Sequence, residues 1–316
     1  MQRIRTAVIG VGYLGRFHAH KYASLPAIEL VAVADPREDA RNAVAAEVGC
    51  RAVADYRELL GQVDAVSVAT PTATHFAIAQ DCLEHGVHVL VKKPVAATPQ
   101  EARELITTAE RRGRLLQVGH LERFNPAVQA LAGILRTPRF IESHRLAPFR
   151  ERGTDVDVVL DLMIHDIDLI QSFVGAPVES IDAVGASVFS AGLDIANARI
   201  RYAGGCVADT TASRVSTRTE RRLRLFQDDA YVSIDLQQKV IAVVRKPPPG
   251  AKSAPGEFVV EERSYEQGDA LRCEIEAFVA SAREGRPAVV SGEDGLRALE
   301  TAIRITELVQ GRRAGA

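Results

Sequence analysis

The stretch from residue 6 to residue 35 constrains the fold more than any other part of the sequence. An apolar run leads into Gly10, Gly12 and Gly15, a helical stretch and a second apolar run follow, and Asp35 ends that run. In such a unit the first glycine makes a tight turn, the second lets a ligand approach the backbone, and the third lets the helix pack on the strand. The pattern predicts a dinucleotide-binding βαβ unit with the pyrophosphate at the helix N-terminus. The predicted contacts in this loop are Gly10, Gly12, Tyr13, Leu14 and Gly15.

Asp35 stands where a ribose would lie. Its carboxylate can accept hydrogen bonds from both ribose hydroxyls of an adenosine and would repel a 2′-phosphate. The residue therefore predicts NAD in preference to NADP, although Arg37 leaves the strictness of that preference open. The alternative is a glycine turn in an α/β protein that binds no ligand.

The first 120 residues alternate between strand and helix patterns. Apolar runs typical of buried parallel strands lie at residues 6–12, 29–35, 65–70, 87–91 and 115–119. Amphipathic stretches of helical period lie at residues 37–48, 73–85 and 99–112. Strands that alternate with helices indicate right-handed βαβ units and a doubly wound parallel sheet, the Rossmann type, over residues 1–121.

After residue 120 the pattern changes. Helical segments are predicted at residues 123–135, 157–174, 269–283 and 292–308. Alternating runs typical of strands lie at residues 180–188, 195–202, 206–215, 222–226 and 231–235. We therefore predict an α/β protein whose second, α+β domain (residues 122–316) has a large, open, mainly antiparallel sheet and binds substrate. Because an open sheet usually needs covering, we also predict a homodimer or homotetramer.

Composition excludes several partners. The 39 basic and 41 acidic residues give a net charge of only −2, so no global field draws the chain to nucleic acid or to a membrane. The four cysteines have no metal-ligand spacing, which favours free thiols in a reducing compartment. No apolar run approaches the roughly 20 residues that span a bilayer, and the N-terminus lacks a signal-peptide pattern. These features predict a cytoplasmic protein.

Two later loops follow strands of the same predicted sheet. Because ligands of open α/β sheets bind beyond the carboxyl ends of the strands, both loops are expected to line the nicotinamide side. The residues predicted to contact the cofactor there are Thr70, Pro71, Thr72, His75, Lys93 and Pro94. For Thr70, Thr72 and His75, ordinary turn and helix-cap chemistry is an equal alternative.

The predicted helix at residues 157–174 is apolar around most of its circumference and must be buried. At about 100° per residue, Asp157, Asp161, His165 and Asp168 fall within a stripe of roughly 80°. The stripe could face solvent with Asp157 as the helix cap. A metal site is a second alternative, but one narrow stripe supplies too few ligands, and we predict no metal.

Hydride transfer from an alcohol to NAD requires a base for the hydroxyl proton. A histidine with a near-neutral pKa suits that role, so we assign it to His165. Asp161, four residues earlier on the same face, could orient the imidazole. Lys93 could stabilise developing alkoxide character. The predicted catalytic residues are therefore Lys93, Asp161 and His165.

Over nearly its whole length the chain resembles the glucose–fructose oxidoreductase/inositol dehydrogenase (Gfo/Idh/MocA) family. The resemblance rests on the glycine loop, the Thr-Pro-x-x-x-His turn at residues 70–75, Lys93–Pro94, the Asp161/His165 helix, and the ending at residues 276–299. It implies the same catalytic residues, Lys93, Asp161 and His165. One departure is Lys92, where the family usually has glutamate. Two adjacent cations could lower the pKa of Lys93.

Residues 119–126 and 158–168 are similar to those of the UDP-N-acetylglucosamine 3-dehydrogenases within that family. The similarity implies NAD-dependent oxidation of the 3-hydroxyl of a nucleotide sugar to a ketone, on a route to a 3-amino sugar of lipid A or a surface glycan. The rival hypotheses are a dehydrogenase of a free polyol or pyranose such as inositol, and a non-catalytic NAD-binding sensor. A sensor would need none of the three catalytic residues.

A nucleotide sugar requires an anion site for its diphosphate. We predict Arg123, Arg150 and Arg152, with the start of the helix at residue 157, as candidates. Helix-start chemistry is the alternative for Arg123 and Asn125. The predicted substrate contacts are Lys93, Arg123, Asn125, Arg152, Asp161 and His165.

Overall fold

The structure is a computed structural model that describes residues 3–149, 156–247, 257–266 and 268–314. The chain divides into two compact units. The first comprises Met1–Leu121 and Asp269–Leu299, and the second comprises Glu122–Gly268 and Glu300–Ala316.

The strands are β1 Ile4–Ile9, β2 Ile28–Ala34, β3 Arg51–Val53, β4 Ala65–Val68, β5 His88–Lys92, β6 Leu116–Gly119, β7 Phe140–Leu146, β8 Val178–Ala186, β9 Ile195–Tyr202, β10 Val207–Ser213, β11 Glu220–Gln227, β12 Ala230–Asp235, β13 Val240–Arg245 and β14 Val259–Ser264. The α-helices are α1 Tyr13–Ser24, α2 Glu38–Val48, α3 His75–Glu84, α4 Pro99–Arg112, α5 Pro126–Gln129, α6 Ile164–Val174, α7 Ala270–Glu284 and α8 Gly292–Ala314. Within the described residues, no helix is long and apolar enough to cross a membrane.

The sheet of the first unit is parallel, with strand order β3-β2-β1-β4-β5-β6. The order reverses between β1 and β4, which is the point where doubly wound sheets bind ligands. Local sequence explains the helix limits. Thr98 and Glu101 form a capping box around Pro99 at the start of α4, and Gly113 ends that helix in the left-handed conformation. The predicted Rossmann arrangement is confirmed.

Helix α7 belongs to the first unit, which corrects the expected division at residues 1–121 and 122–316. Ile275, Phe278 and Val279 of this helix share one buried core with Tyr22 of α1 and Leu90 of β5. The apolar stripe of α7 indicates burial, but it does not indicate which sheet the helix covers. From the sequence alone, α7 was therefore placed in the second domain, because it follows the strands of that domain along the chain.

The second unit contains an eight-stranded sheet of order β14-β13-β12-β11-β7-β10-β9-β8. Strands β7 and β10 are parallel, and the other neighbours are antiparallel. On β9 buried and exposed residues alternate, so one face is covered and the other is open. The predicted open, mainly antiparallel sheet is confirmed, although β7, β13 and β14 were not predicted.

Two predicted helices take a different form. The helix predicted at residues 123–135 is replaced by a 3₁₀ turn at Leu121–Phe124 and the single turn α5. The two are separate because Asn125 caps a new helix start at Pro126. Residues 157–174 begin with a π-helical turn at Val159–Met163 before α6. A π turn holds more residues than an α turn, so the assumed 100° per residue fails in this part.

Candidate active site

The glycine loop is fixed by backbone geometry. Gly10 has φ of +83°, and a Cβ there would lie 2.7 Å from Thr70 Cγ2. A Cβ on Gly15 would lie 1.8 Å from the Gly10 carbonyl oxygen, which no side chain could tolerate. Gly12 differs, because a Cβ there would meet only Arg37 Nη2 at 3.5 Å. The fold therefore requires Gly10 and Gly15, whereas Gly12 leaves room beside the start of α1 for a ligand such as a pyrophosphate.

Asp35 is only 5% exposed and lies beyond the end of β2. One carboxylate oxygen accepts a hydrogen bond from the Val11 N–H at 3.0 Å. Arg37 donates to the carboxylate from its backbone N–H at 3.0 Å and from its guanidinium at 3.1 and 3.2 Å. Burial acts to raise the pKa of Asp35, but these hydrogen bonds outweigh it and hold the pKa below its ordinary value. Asp35 is therefore an ionised acceptor that a ribose would share with Arg37.

The loops after β4 and β5 are joined by His75. Its imidazole is buried, with Nδ1 2.9 Å from the Pro94 carbonyl oxygen and Nε2 2.9 Å from the Thr70 carbonyl oxygen. Burial lowers the pKa of His75, and a neutral ring donates only one of these two bonds. The geometry favours the turn-chemistry alternative for His75, which holds Thr70 and Pro94 in place rather than lying open to a cofactor.

The neighbouring positions complete these two loops. A 3₁₀ turn occupies Thr72–Thr74, and Pro71 rather than Thr72 stands at its cap position. Thr74 Oγ1 donates to Pro71 O at 2.8 Å and lies 2.9 Å from Thr70 Oγ1. Lys93 is half-buried immediately after β5, and the Lys93–Pro94 peptide bond is cis.

In the second unit, Asp157 and Asp168 of the predicted stripe have partners elsewhere in the chain. Asp161 lies in the π turn and His165 in the first turn of α6, and both are half-buried. Asp157 instead accepts a hydrogen bond from the Leu193 N–H at 2.8 Å. Asp168 is buried and pairs with Arg123. The acid–base roles of Asp161 and His165 stay a prediction.

Arg123 and Asn125 take up internal contacts. The Arg123 guanidinium donates to both carboxylate oxygens of Asp168, at 2.7 and 2.9 Å. Asn125 is buried, accepts from the Ala127 N–H at 3.1 Å and donates to Leu236 O at 2.9 Å. The structure thus gives Asn125 the helix-start role, and a substrate contact from Arg123 would have to share Asp168. Arg150 and Arg152 lie outside the described residues.

A buried ion network was missed from the sequence. Arg145 donates to Asp166 Oδ1 at 2.7 and 3.1 Å and to Glu122 Oε1 at 2.9 Å. Burial raises the pKa of Asp166, and Arg145 opposes that shift. Because Asp166 directly follows His165, the network fixes this turn of α6. The sequence of residues 140–146 has no apolar alternation, so no local signal placed Arg145 on a covered face.

Within the described residues, no group of three or more His, Cys, Asp or Glu side chains is arranged to hold a metal ion. Lys93 lies in the first unit, and Asp161 and His165 lie in the second. The first unit offers a dinucleotide site, and the second offers a base on a buried helix. A dinucleotide site can bind a nicotinamide cofactor, and a histidine can remove a hydroxyl proton.

Comparison with known proteins defines the class. A family model described as the Gfo/Idh/MocA oxidoreductase family, NAD-binding Rossmann fold, matches residues 4–120, and a Gfo/Idh/MocA C-terminal domain matches residues 132–233. The chain belongs to this family and is an NAD-dependent dehydrogenase that acts on a CH–OH group.

The chain is 40% identical over 314 residues to the UDP-N-acetylglucosamine 3-dehydrogenase of Acidithiobacillus ferrooxidans, covering 98% of each protein. A crystal structure of that enzyme matches with a TM-score of 0.90, covering 98% of this chain and 99% of the other. The NAD-dependent scyllo-inositol 2-dehydrogenase of Bacillus subtilis is more distant, at 26% identity over 325 residues, with 96% and 93% coverage.

Proposed function

We propose that this dehydrogenase oxidises the 3-hydroxyl of a nucleotide sugar of the UDP-N-acetylglucosamine type to a ketone. The observation that carries the proposal is the similarity to a UDP-N-acetylglucosamine 3-dehydrogenase along the whole of both chains. The described residues support it, because the first unit has the glycine loop and the buried Asp35 of a dinucleotide site, and α6 of the second unit carries the half-buried His165.

In the proposed reaction, His165 takes the proton of the sugar hydroxyl as its C–H bond breaks and the ketone forms. Bound NAD supplies the acceptor for the hydride. Asp161 holds the imidazole and favours its charged form after proton transfer. Lys93 hydrogen-bonds the reacting oxygen and stabilises its developing negative charge. The glycine loop and Asp35 hold the cofactor, with further contacts from Tyr13, Leu14, Thr70, Pro71, Thr72 and Pro94.

The ketone suits a later transamination, so we place the reaction on a route to a 3-amino sugar of lipid A or a surface glycan. We also propose that a second copy covers the open face of the eight-stranded sheet, where Phe226 lies against Tyr231 with ring centroids 4.9 Å apart and the ring planes tilted by 36°. Light scattering should then give twice or four times the mass of one chain. A cytoplasmic location stays a prediction.

The test is NADH formation with a panel of UDP-sugars, free N-acetylglucosamine, glucose and myo-inositol. UDP-N-acetylglucosamine should be turned over most efficiently. Turnover of inositol without turnover of any UDP-sugar would establish the polyol alternative. NADH binding without turnover of any compound would favour the sensor.

The matched variants are His165→Asn and His85→Asn. The first should lower kcat by about 10²- to 10⁴-fold and leave NADH affinity unchanged. His85 is exposed just after α3, where its Nδ1 lies 2.7 Å from the Asp81 carbonyl oxygen, so its variant should keep wild-type turnover. Equal activity of the two variants would remove His165 from the mechanism.

A further inference from the structure

The first unit buries a polar cluster that the proposed reaction does not use. Ser67 of β4, Leu90 of β5 and Gln117 of β6 lie in one register row and therefore face the same side of the sheet. Helix α1 places His18 and Tyr22 over this row. His18 Nδ1 lies 3.1 Å and the Tyr22 hydroxyl 2.9 Å from Ser67 Oγ.

Helix α7 adds Glu274 to the cluster. Its side chain is fully buried, and within the described parts of the chain neither carboxylate oxygen has a hydrogen-bond partner. Gln117 Nε2 donates to the Glu274 backbone carbonyl at 3.3 Å, which places this turn of α7 over the polar row. A buried carboxylate without hydrogen bonds is costly, so its retention calls for a compensating charge or a function.

The compensating charge is Lys92, the last residue of β5. It lies two residues beyond Leu90 and hence on the same face of the sheet. Its side chain crosses Gly119, where a Cβ would lie 3.4 Å from Lys92 Cδ. The Lys92 charge acts on both helices, because it contributes to lowering the pKa of His18 and opposes the raised pKa of Glu274.

Glu274 is the group of this cluster that titrates near neutral pH. Burial raises its pKa to about 7. The groups that face it from α1 are both neutral there, since burial lowers the pKa of His18 to about 3 and raises that of Tyr22. Gln117 from β6 is neutral at every pH. On α7 itself, Glu276 pairs with Arg272 at 2.8 Å on the surface.

We propose that Glu274 is a positioning residue for the cofactor end of β5: its carboxylate balances Lys92, and its protonation sets the net charge beside Lys93 and thereby the preference for oxidised over reduced nicotinamide. This inference shares with the proposed function the placement of the Lys93–Pro94 loop at the nicotinamide. It does not depend on the substrate.

The sign follows from the charges. At a pH below the pKa of Glu274 the carboxyl is neutral, and Lys92 and Lys93 present two positive charges to the positively charged ring of NAD⁺. Above that pH the carboxylate offsets one of them. NADH has a neutral ring and responds less. NAD⁺ should therefore bind more tightly relative to NADH as the pH rises through about 7.

The experiment measures the dissociation constants of NAD⁺ and NADH by calorimetry between about pH 5.5 and pH 8.5. In the wild-type protein the ratio of the NAD⁺ constant to the NADH constant should fall by about fivefold to tenfold with rising pH. Glu274→Gln should hold the ratio at its low-pH value throughout. Glu276→Gln, on the exposed side of the same helix, should behave as wild type.

Two further measurements keep the inference open to refutation. Lys92→Met removes the opposing cation, so the remaining pH-dependent change should move to higher pH, and this variant serves if Glu274→Gln fails to fold. An infrared titration of the protonated carboxyl band, wild type minus Glu274→Gln, should show a proton lost near pH 7 without any cofactor.

If the infrared band titrates but the ratio of the NAD⁺ and NADH dissociation constants does not change with pH, the inference is wrong. It is also wrong if the ratio in Glu274→Gln changes with pH as it does in the wild type. A pH-dependent ratio in a protein that oxidises no UDP-sugar would leave the inference standing and overturn the proposed function.

Discussion

The glycine loop of the first unit differs from the charged cluster around α6 in the second unit in what determines its residues. This charged cluster consists of Glu122, Arg123, Arg145, Asp166 and Asp168. In the loop, the backbone itself excludes any side chain at Gly15, whose Cβ would lie 1.8 Å from a carbonyl oxygen. In the cluster, each charge is defined by a partner far away in the sequence, as Arg123 is by Asp168, 45 residues later. A role imposed by the backbone is local and can be recognised from spacing. A role that depends on a distant partner cannot be recognised from spacing.

The largest effects should come from the loop, where two glycines can be separated. Gly15→Ala should lower the free energy of unfolding by about 5 kcal/mol, because the backbone of Gly10 must move. Gly12→Ala should cost under about 1 kcal/mol, since its Cβ makes only an ordinary contact, yet it should abolish NADH binding by filling the pyrophosphate space. Denaturant unfolding and NADH titration measure the two effects.

The control is Gly311→Ala on α8, where a Cβ would meet nothing within 4 Å. This substitution should stabilise the protein by about 0.5–1 kcal/mol through helix propensity and leave cofactor binding intact. If Gly15→Ala and Gly12→Ala lose stability equally, then the backbone constraint does not distinguish the two positions and the comparison is wrong for the loop.

The second unit should respond through stability rather than through substrate binding. Arg123→Ala leaves the buried Asp168 carboxylate without its bidentate partner, so we expect a loss of about 3 kcal/mol in the free energy of unfolding. Arg123→Ala combined with Asp168→Leu should recover part of that loss. Thermal and denaturant unfolding of the three variants and a double-mutant cycle measure the coupling.

Arg139→Ala is the matched control, because its pair with Asp228 is mostly exposed and should contribute nothing measurable. A stable Arg123→Ala protein with a raised Michaelis constant for the UDP-sugar alone would reverse the interpretation. It would restore the diphosphate role that the sequence suggested for Arg123.

The same contrast explains what the sequence could predict. The two sheets, the glycine loop and the place of Asp35 after β2 follow from spacing and periodicity over short distances. The pairing of Asp161 with His165 stays a prediction, because the π turn breaks the assumed 100° per residue. Strand β7 was missed because its covered face carries Ser143 and Arg145 as well as Ile141. The arginine can be buried there because Asp166 and Glu122 pair with it. The unit to which α7 belongs depends on core contacts across the chain, which no local pattern contains.

The role of Asp35 depends both on the local backbone and on a partner side chain, and substitutions there should give the smallest of the effects predicted here. Its place at the end of β2 follows from the motif. Its hydrogen bonds with the Arg37 guanidinium depend on how the two side chains are placed. We expect kcat/KM with NAD to exceed that with NADP by at least about tenfold, and Asp35→Ser to narrow that gap. Arg37→Ala should widen it, because the guanidinium that could meet a 2′-phosphate is removed. Arg41→Ala, which loses a contact to Pro36 O instead, is the control. An unmodified enzyme that prefers NADP would show that Arg37, and not Asp35, sets the cofactor choice.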